Sequence, residues 1–270
     1  MSKIFQFNKI CKDIKSIKIQ GAENIAKSAF KAYKLIPTKQ SIKKLISLRP
    51  TEPMLFNLLN KYNKLSYDEL TEKLEENQEK INQEVFKLIK SNKVVFTHCH
   101  SSTVTKALIY SHKKGKRFEV YNTETRPLFQ GRKTYLELKN AGIKTTMFVD
   151  SAAQIALTKE QDKEEKTKPV DLILMGADAL QKNGVINKVG SGIIGEIAKI
   201  HHIPLYIISD SLKYSKKKIA FEQRSPKEIW NIKNVNIKDP AFELIEKKDI
   251  TGIISEFGKL SYNEFLKRVN

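Results

Sequence analysis

Cysteine is scarce in this chain, with only Cys11 and Cys99 among 270 residues. Two thiols build no disulfide framework, which points to a reducing compartment and so to the cytoplasm. Long apolar runs are missing too. Nothing approaches the roughly 20 residues that cross a bilayer, and Met1 to Ile10 lacks the continuous apolar core of a signal peptide. No zinc-finger spacing, aromatic RNA-binding motif or basic helix with heptads is present. Acidic residues are outnumbered, 30 against 49 basic ones, for a formal net charge of +19. Clustered on one face, such an excess would suit a nucleic acid. Here lysine pairs are spread along the chain and interleaved with glutamate, so the charge argues for general attraction only. It fits a field that gathers a small, highly anionic substrate.

What is present is enough for a sizeable core. A hydrophobic fraction of 40% with 29% charged residues is that of a globular protein, and the length suits one α/β domain with an appendage. Up to about Lys90 the pattern is helical. Ile25, Ala29 and Ala32/Tyr33 recur at helical spacing before Pro37, Thr51-Glu-Pro53 reads as a helix start, and Ser66-Tyr-Asp-Glu69 reads as a capping box before a helix reaching about Ile89. After Lys93, candidate strands 94–97, 118–122, 145–149, 172–175, 205–208 and 252–254 alternate with candidate helices 103–114, 133–140, 151–158 and 190–201. The prediction is an α/β protein: an N-terminal helical domain over 1–90, then a Rossmann-like domain over 91–270, a mostly parallel sheet with helices on both faces. The charged segment 159–168 reads as a surface loop or frayed helix end.

Two strand ends carry the chemistry. Val94-Val95-Phe96 runs into Thr97-His98-Cys99-His100-Ser101-Ser102, and Leu172-Ile173-Leu174-Met175 runs into Gly176-Ala177-Asp178. Open α/β sheets bind ligands at the carboxyl ends of their strands, where helix N-termini favour anions. A thiol and a carboxyl at two such mouths form a candidate acid/base pair. The blander roles are a buried inert thiol for Cys99 and a turn cap for Asp178. Alternation along the strand sends His98 and His100 to the face opposite Cys99, which argues for packing roles and against a metal site. Cys11 reads as structural, and Trp230 with Phe242 as an anchor for the C-terminal strand region.

Taken together, Thr97-His-Cys-His-Ser-Ser102, Thr123-Glu-Thr-Arg-Pro-Leu-Phe-Gln-Gly131, Asp150-Ser-Ala-Ala153, Gly176-Ala-Asp178 and Asn183-Gly-Val-Ile-Asn-Lys-Val-Gly190 resemble the ordered motifs of one superfamily. It holds the regulatory subunits of translation initiation factor 2B, methylthioribose-1-phosphate isomerase and archaeal ribose-1,5-bisphosphate isomerase. The resemblance implies catalysis by Cys99 and Asp178. Cys-His-Ser-Ser is similar to the bisphosphate branch, which implies conversion of ribose 1,5-bisphosphate to ribulose 1,5-bisphosphate in AMP and nucleoside salvage. A non-catalytic regulatory subunit and a methylthioribose-phosphate isomerase are the alternatives. A carboxyl with a raised pKa at Asp178 would protonate the ring oxygen. A thiolate lowered by a helix N-terminus or nearby cations at Cys99 would take the C2 proton, unless a hydride shifts instead. The expected phosphate and hydroxyl contacts are Arg126, Ser101, Ser102, Gln130, Asn187, Lys188, Lys213 and Arg49, with backbone amides at Gly21-Ala22. Gln20 stands where the family has arginine. The resemblance further implies no cofactor, a homodimer or larger homo-oligomer, and AMP as a candidate activator.

Overall fold

Five helices occupy the first ninety residues, and several begin at a residue that supplies or spares a backbone hydrogen bond. They are α1 (Lys3–Lys15), α2 (Ala22–Leu35), α3 (Lys39–Leu48), α4 (Pro53–Lys61) and α5 (Tyr67–Leu88) in this computed structural model, which describes residues 1–158, 167–221 and 223–270. Thr38 caps α3 by accepting from the Ser41 amide at 3.1 Å. Pro53 opens α4, where a missing N–H costs nothing. Ser66 and Glu69 form the predicted reciprocal cap of α5, at 3.1 and 2.7 Å. The apolar faces of α1 to α4 meet in one core around Phe30, Leu45, Leu55 and Leu58, and Cys11 is packed into it. Helix α5 joins two cores: Leu70 and Leu74 pack with this one, while Ile81 and Val85 pack against the sheet that follows.

From Lys93 the chain alternates through β1 (Lys93–Thr97), α6 (Ser102–Lys113), β2 (Phe118–Thr123), α7 (Gln130–Asn140), β3 (Lys144–Phe148), α8 (Ala153–Thr158), β4 (Leu172–Met175), β5 (Ala179–Gln181), β6 (Gly184–Lys188), α9 (Ser191–Ile200), β7 (Leu205–Ile208), β8 (Phe242–Glu246), β9 (Gly252–Ser255), β10 (Gly258–Leu260) and α10 (Tyr262–Val269). Seven of these strands form one sheet in the order β10-β9-β7-β4-β1-β2-β3, parallel except where β10 pairs with β9. Alternation along the strands divides the core. Val94, Phe96, Ile173 and Met175 face α8, α9 and α10, while Val95, Leu172 and Leu174 face α5, α6 and α7. Helices on both faces account for the near-continuous apolar strands. The Rossmann-like expectation holds.

The chain moves outward from β1 through β2 to β3, then returns to β4 and moves outward the other way. The order therefore reverses between β1 and β4, and such a switch point opens a crevice at the strands' carboxyl ends. A second sheet, β5-β6-β8, is antiparallel and lies outside the predicted pattern. Strand β6 is buried along its whole length. It carries Asn187 and Lys188 to the same end of the molecule. Most of the predicted 159–168 loop lies outside the described residues. Trp230 does not anchor the C-terminal strands: it is 59% exposed, just beyond the short turn 226–228. Among the described residues no helix is long and apolar enough to cross a membrane.

Candidate active site

Strand β1 stops at Thr97, and the chain turns sharply two residues later. Cys99 has φ +64°, a left-handed conformation that costs a non-glycine residue about 1–3 kcal/mol. Two threonines hold it there. Thr125 Oγ1 accepts from the Cys99 amide at 3.1 Å, and Thr134 Oγ1 donates to the Cys99 carbonyl at 2.9 Å. The turn delivers Ser101, whose hydroxyl caps α6 by accepting from the Val104 amide at 3.4 Å. Opposite it, β4 ends in Gly176. A Cβ there would lie 2.5 Å from Ser101 Oγ and 2.6 Å from Ser101 Cβ, so glycine is what lets the two strand mouths touch. The Asp178 amide then donates to the Ile186 carbonyl of β6 at 2.9 Å. Lys213 Nζ donates to the Ala177 carbonyl at 2.6 Å from below the same loop.

These loops enclose a cavity of about 490 Å³. Cys99 and Asp178 line it together, as do Gly21, Ala22, Arg49, Ser101, Ser102, Gln130, Asn187, Lys188 and Lys213. Arg126 does not. Its side chain is exposed and its guanidinium stacks 4.8 Å from the Phe129 ring centroid. The cause is Asp150, whose carboxylate accepts the amides of Thr125 and Arg126 at 2.8 and 2.6 Å and fixes the turn. The expected guanidinium fork at Arg126 is therefore withdrawn. Lys188 and Lys213 are both buried. Arg49 is buried beside Glu52, with 3.2 Å between them.

The histidines also depart from expectation. Strand alternation ends at Thr97, so it cannot carry His98 and His100 to the far face, and both line the cavity. The His98 ring is held between Thr123 Oγ1 at 2.5 Å and the Val189 carbonyl at 2.9 Å. A carbonyl only accepts, so Nε2 carries the proton and Nδ1 accepts from the Thr123 hydroxyl. Burial lowers the His98 pKa, in keeping with a neutral ring. His100 reaches Thr134 Oγ1 at 3.0 Å, and burial with the nearby Lys133 charge takes its pKa down to about 4. Neutral His100 thus backs the hydroxyl that holds the Cys99 carbonyl. Among the described residues no group of three or more His, Cys, Asp or Glu is placed to hold a metal ion.

The thiol corrects a further expectation. Burial, and then the negative charge of Asp178, push Cys99 up to about 12. Lys188 pulls the other way but does not prevail. In the free protein Cys99 is held as a protonated thiol, and Asp178 is near enough for its charge to add to the effect of burial.

Several lining residues gave no clear sequence signal. Thr105 and Lys106 sit one turn beyond Ser101 and Ser102 on α6, so the i,i+4 rule would have found them. Thr105 Oγ1 and Gln130 Oε1 are buried polar atoms with no hydrogen-bond partner among the described residues. Glu23 lies between Lys27 at 2.7 Å and Lys106 at 3.7 Å. Burial opposes its ionisation, but the Lys27 hydrogen bond and the charges of Lys106 and Lys213 outweigh that and hold the carboxyl below its usual range. Arg224, which pairs with Glu228 at 2.8 Å, comes from the irregular stretch after β7.

Comparison with known proteins bears on family and fold. The model of the initiation factor 2 subunit family matches residues 20–262. The chain is 31% identical to a ribose 1,5-bisphosphate isomerase of Archaeoglobus fulgidus, over 92% of this chain and 87% of that protein. It is 33% identical to a methylthioribose-1-phosphate isomerase of Thermoanaerobacter sp. (strain X514), over 94% and 77%. Among solved structures, the translation initiation factor eIF-2B of Pyrococcus horikoshii OT3 superposes with a TM-score of 0.83 at 22% identity, covering 94% of this chain and 96% of that one. That last likeness is one of fold. With matching motifs, a matching family model and relatives aligned over nearly its whole length, the chain belongs to the initiation factor 2 subunit family.

Proposed function

We propose that this protein is an aldose–ketose isomerase that converts ribose 1,5-bisphosphate to ribulose 1,5-bisphosphate. The observation that carries the reading is the meeting of Cys99 and Asp178 in one cavity at the β1/β4 switch point. The rest of the wall suits a doubly anionic sugar. Residues at the N-termini of α2, α6 and α7 line it, and helix N-termini favour phosphate. Lys188 and Lys213 add positive charge, Arg49 and Lys106 stand beside the carboxylates of Glu52 and Glu23, and Thr105 Oγ1 and Gln130 Oε1 can take sugar hydroxyls.

The chemistry asks for one protonated carboxyl. A doubly anionic sugar beside the Asp178 carboxylate favours its uptake of a proton, and the carboxylic acid so formed gives that proton to the ring oxygen while the bond from C1 to that oxygen breaks. The hydrogen on C2 then moves to C1 with its electron pair. The proton of the C2 hydroxyl returns to Asp178 as C2 becomes a carbonyl, so atoms and charge balance. A thiol pushed up to about 12 is a poor base at neutral pH, which favours this hydride shift over removal of the C2 proton by Cys99. Cys99 acts as a neutral wall beside the reacting carbons. Turnover in deuterium oxide separates the routes. The hydride route yields ribulose 1,5-bisphosphate without deuterium at C1, and one solvent deuteron at C1 would overturn it.

A second reading, methylthioribose-1-phosphate isomerisation, needs one phosphate cradle fewer, and it is favoured by one observation: uncharged Gln20 lines the cavity, at a position where the family resemblance implies arginine. Competition between the two sugars decides it, and the bisphosphate reading predicts the larger kcat/KM for ribose 1,5-bisphosphate. The same proposal carries a place in AMP and nucleoside salvage, a cytoplasmic setting, no organic cofactor, a homodimer or larger homo-oligomer, and AMP as a candidate activator.

A further inference from the structure

A second cavity, of about 810 Å³, lies between α4, the segment 211–219 and α10. Arg49 and Glu52 line both cavities, so this ion pair is their shared wall. The volume is that of a small-molecule site, where roughly 300–1,000 Å³ is usual. Its walls are tied together. Asn57 Nδ2 of α4 donates to the carbonyls of Leu212 and Tyr214 at 2.7 and 2.8 Å, which fixes the 211–219 segment against the helix.

The lining has two chemical parts. Leu212 and Tyr214 are buried and form an apolar floor. Phe56 and Phe257 stand at the rim, 43% and 37% exposed. Each ring has a cation over it: Lys217 Nζ is 5.9 Å from the Phe56 centroid, and Arg268 Cζ is 5.4 Å from that of Phe257. Lys61, Lys216 and Lys218 add to the positive rim. Among the described lining residues the sole acid is Glu52, beside Arg49 at 3.2 Å. Exposed phenylalanines in a cavity favour a ligand with apolar surface, and a one-signed rim favours an anion. A sugar bisphosphate supplies the charge but no apolar surface to bury.

We propose that this cavity is a separate binding site for a small organic anion with a flat apolar body, a ring bearing a phosphate, sulfonate or carboxylate. The ring packs on the floor between Phe56 and Phe257, and the anionic group meets Lys217 and Arg268. The proposal stands independently of the isomerase reading. Its test is a fluorescence titration of the full chain with 8-anilinonaphthalene-1-sulfonate. One equivalent binds the wild type with enhanced emission. The Lys217→Glu/Arg268→Glu pair weakens it at least tenfold with an unchanged melting temperature, as does Lys217→Glu alone by a smaller factor. Lys106→Glu, at the first cavity, leaves it unchanged. Dye affinity that ignores the rim charges, or that falls with Lys106→Glu instead, overturns the proposal.

Discussion

The parallel sheet and the small antiparallel sheet both feed the cavity, but they supply different things. The mouths of β1 and β4 deliver Cys99 and Asp178 on short loops tied down by Thr125, Thr134 and Ile186. The small sheet delivers Asn187 and Lys188 from the end of a fully buried hairpin strand. In the proposed reaction one sheet orders the chemistry and the other grips the anion. The lesson is that a switch point is only half a site. The crevice needs a second layer of positive charge laid over it, and a hydrogen bond from Asp178 to Ile186 joins the two.

The largest effect that sharpens this division is on turnover. Asp178→Asn keeps the backbone bond to Ile186 but removes the transferable proton, and kcat falls by about 10²–10⁴ with little change in KM. Next is the thiol. With a pKa of about 12, Cys99 has on the order of 10⁻⁴ of its population as thiolate at pH 8. Alkylation by iodoacetamide, followed by mass spectrometry, is then about a thousandfold slower than for an ordinary thiol, and climbs tenfold per pH unit toward 12. A rate that levels off near pH 8 would break the account of Cys99 as a protonated wall. On the other sheet, Lys188→Ala raises KM roughly 10–100-fold while kcat changes far less, the loss of one charge-assisted contact. Were kcat to fall as far as in Asp178→Asn with KM unchanged, the two sheets would not divide the labour as described. The smallest effect is on stability. Gly176→Ala drives a methyl into Ser101 and costs about 1–3 kcal/mol in denaturant unfolding, since the α6 cap must move with it.

Legibility in the sequence follows the same boundary. Strands β1, β2, β4, β7 and β9 announce themselves by apolar runs and β3 by its paired threonines before Met147 and Phe148, all set between helical patterns, and Ser66 with Glu69 announces α5, because each signal is local. Strands β5, β6 and β8 do not. Gly184–Lys188 pairs with Phe242–Glu246, nearly sixty residues on, and no periodicity within either segment carries that partnership. The site shows the same split. Cys99, Ser101, Asp178 and Lys188 sit at motif positions and line the cavity as expected. Arg126 stays outside the cavity although it sits in a motif, because Asp150, 24 residues on, holds the amide of its turn. His98 and His100 reach the cavity because β1 ends at Thr97 and the left-handed Cys99 turns the chain just behind it, which no propensity within 94–97 indicates.

The central claim is that one sugar bridges the β1 and β4 mouths and is rearranged there. Phosphorus and carbon NMR of the purified chain with ribose 1,5-bisphosphate tests it most directly. The account predicts ribulose 1,5-bisphosphate from the wild type and unchanged substrate from Asp178→Asn. A wild-type protein that binds the sugar yet leaves it intact would contradict it.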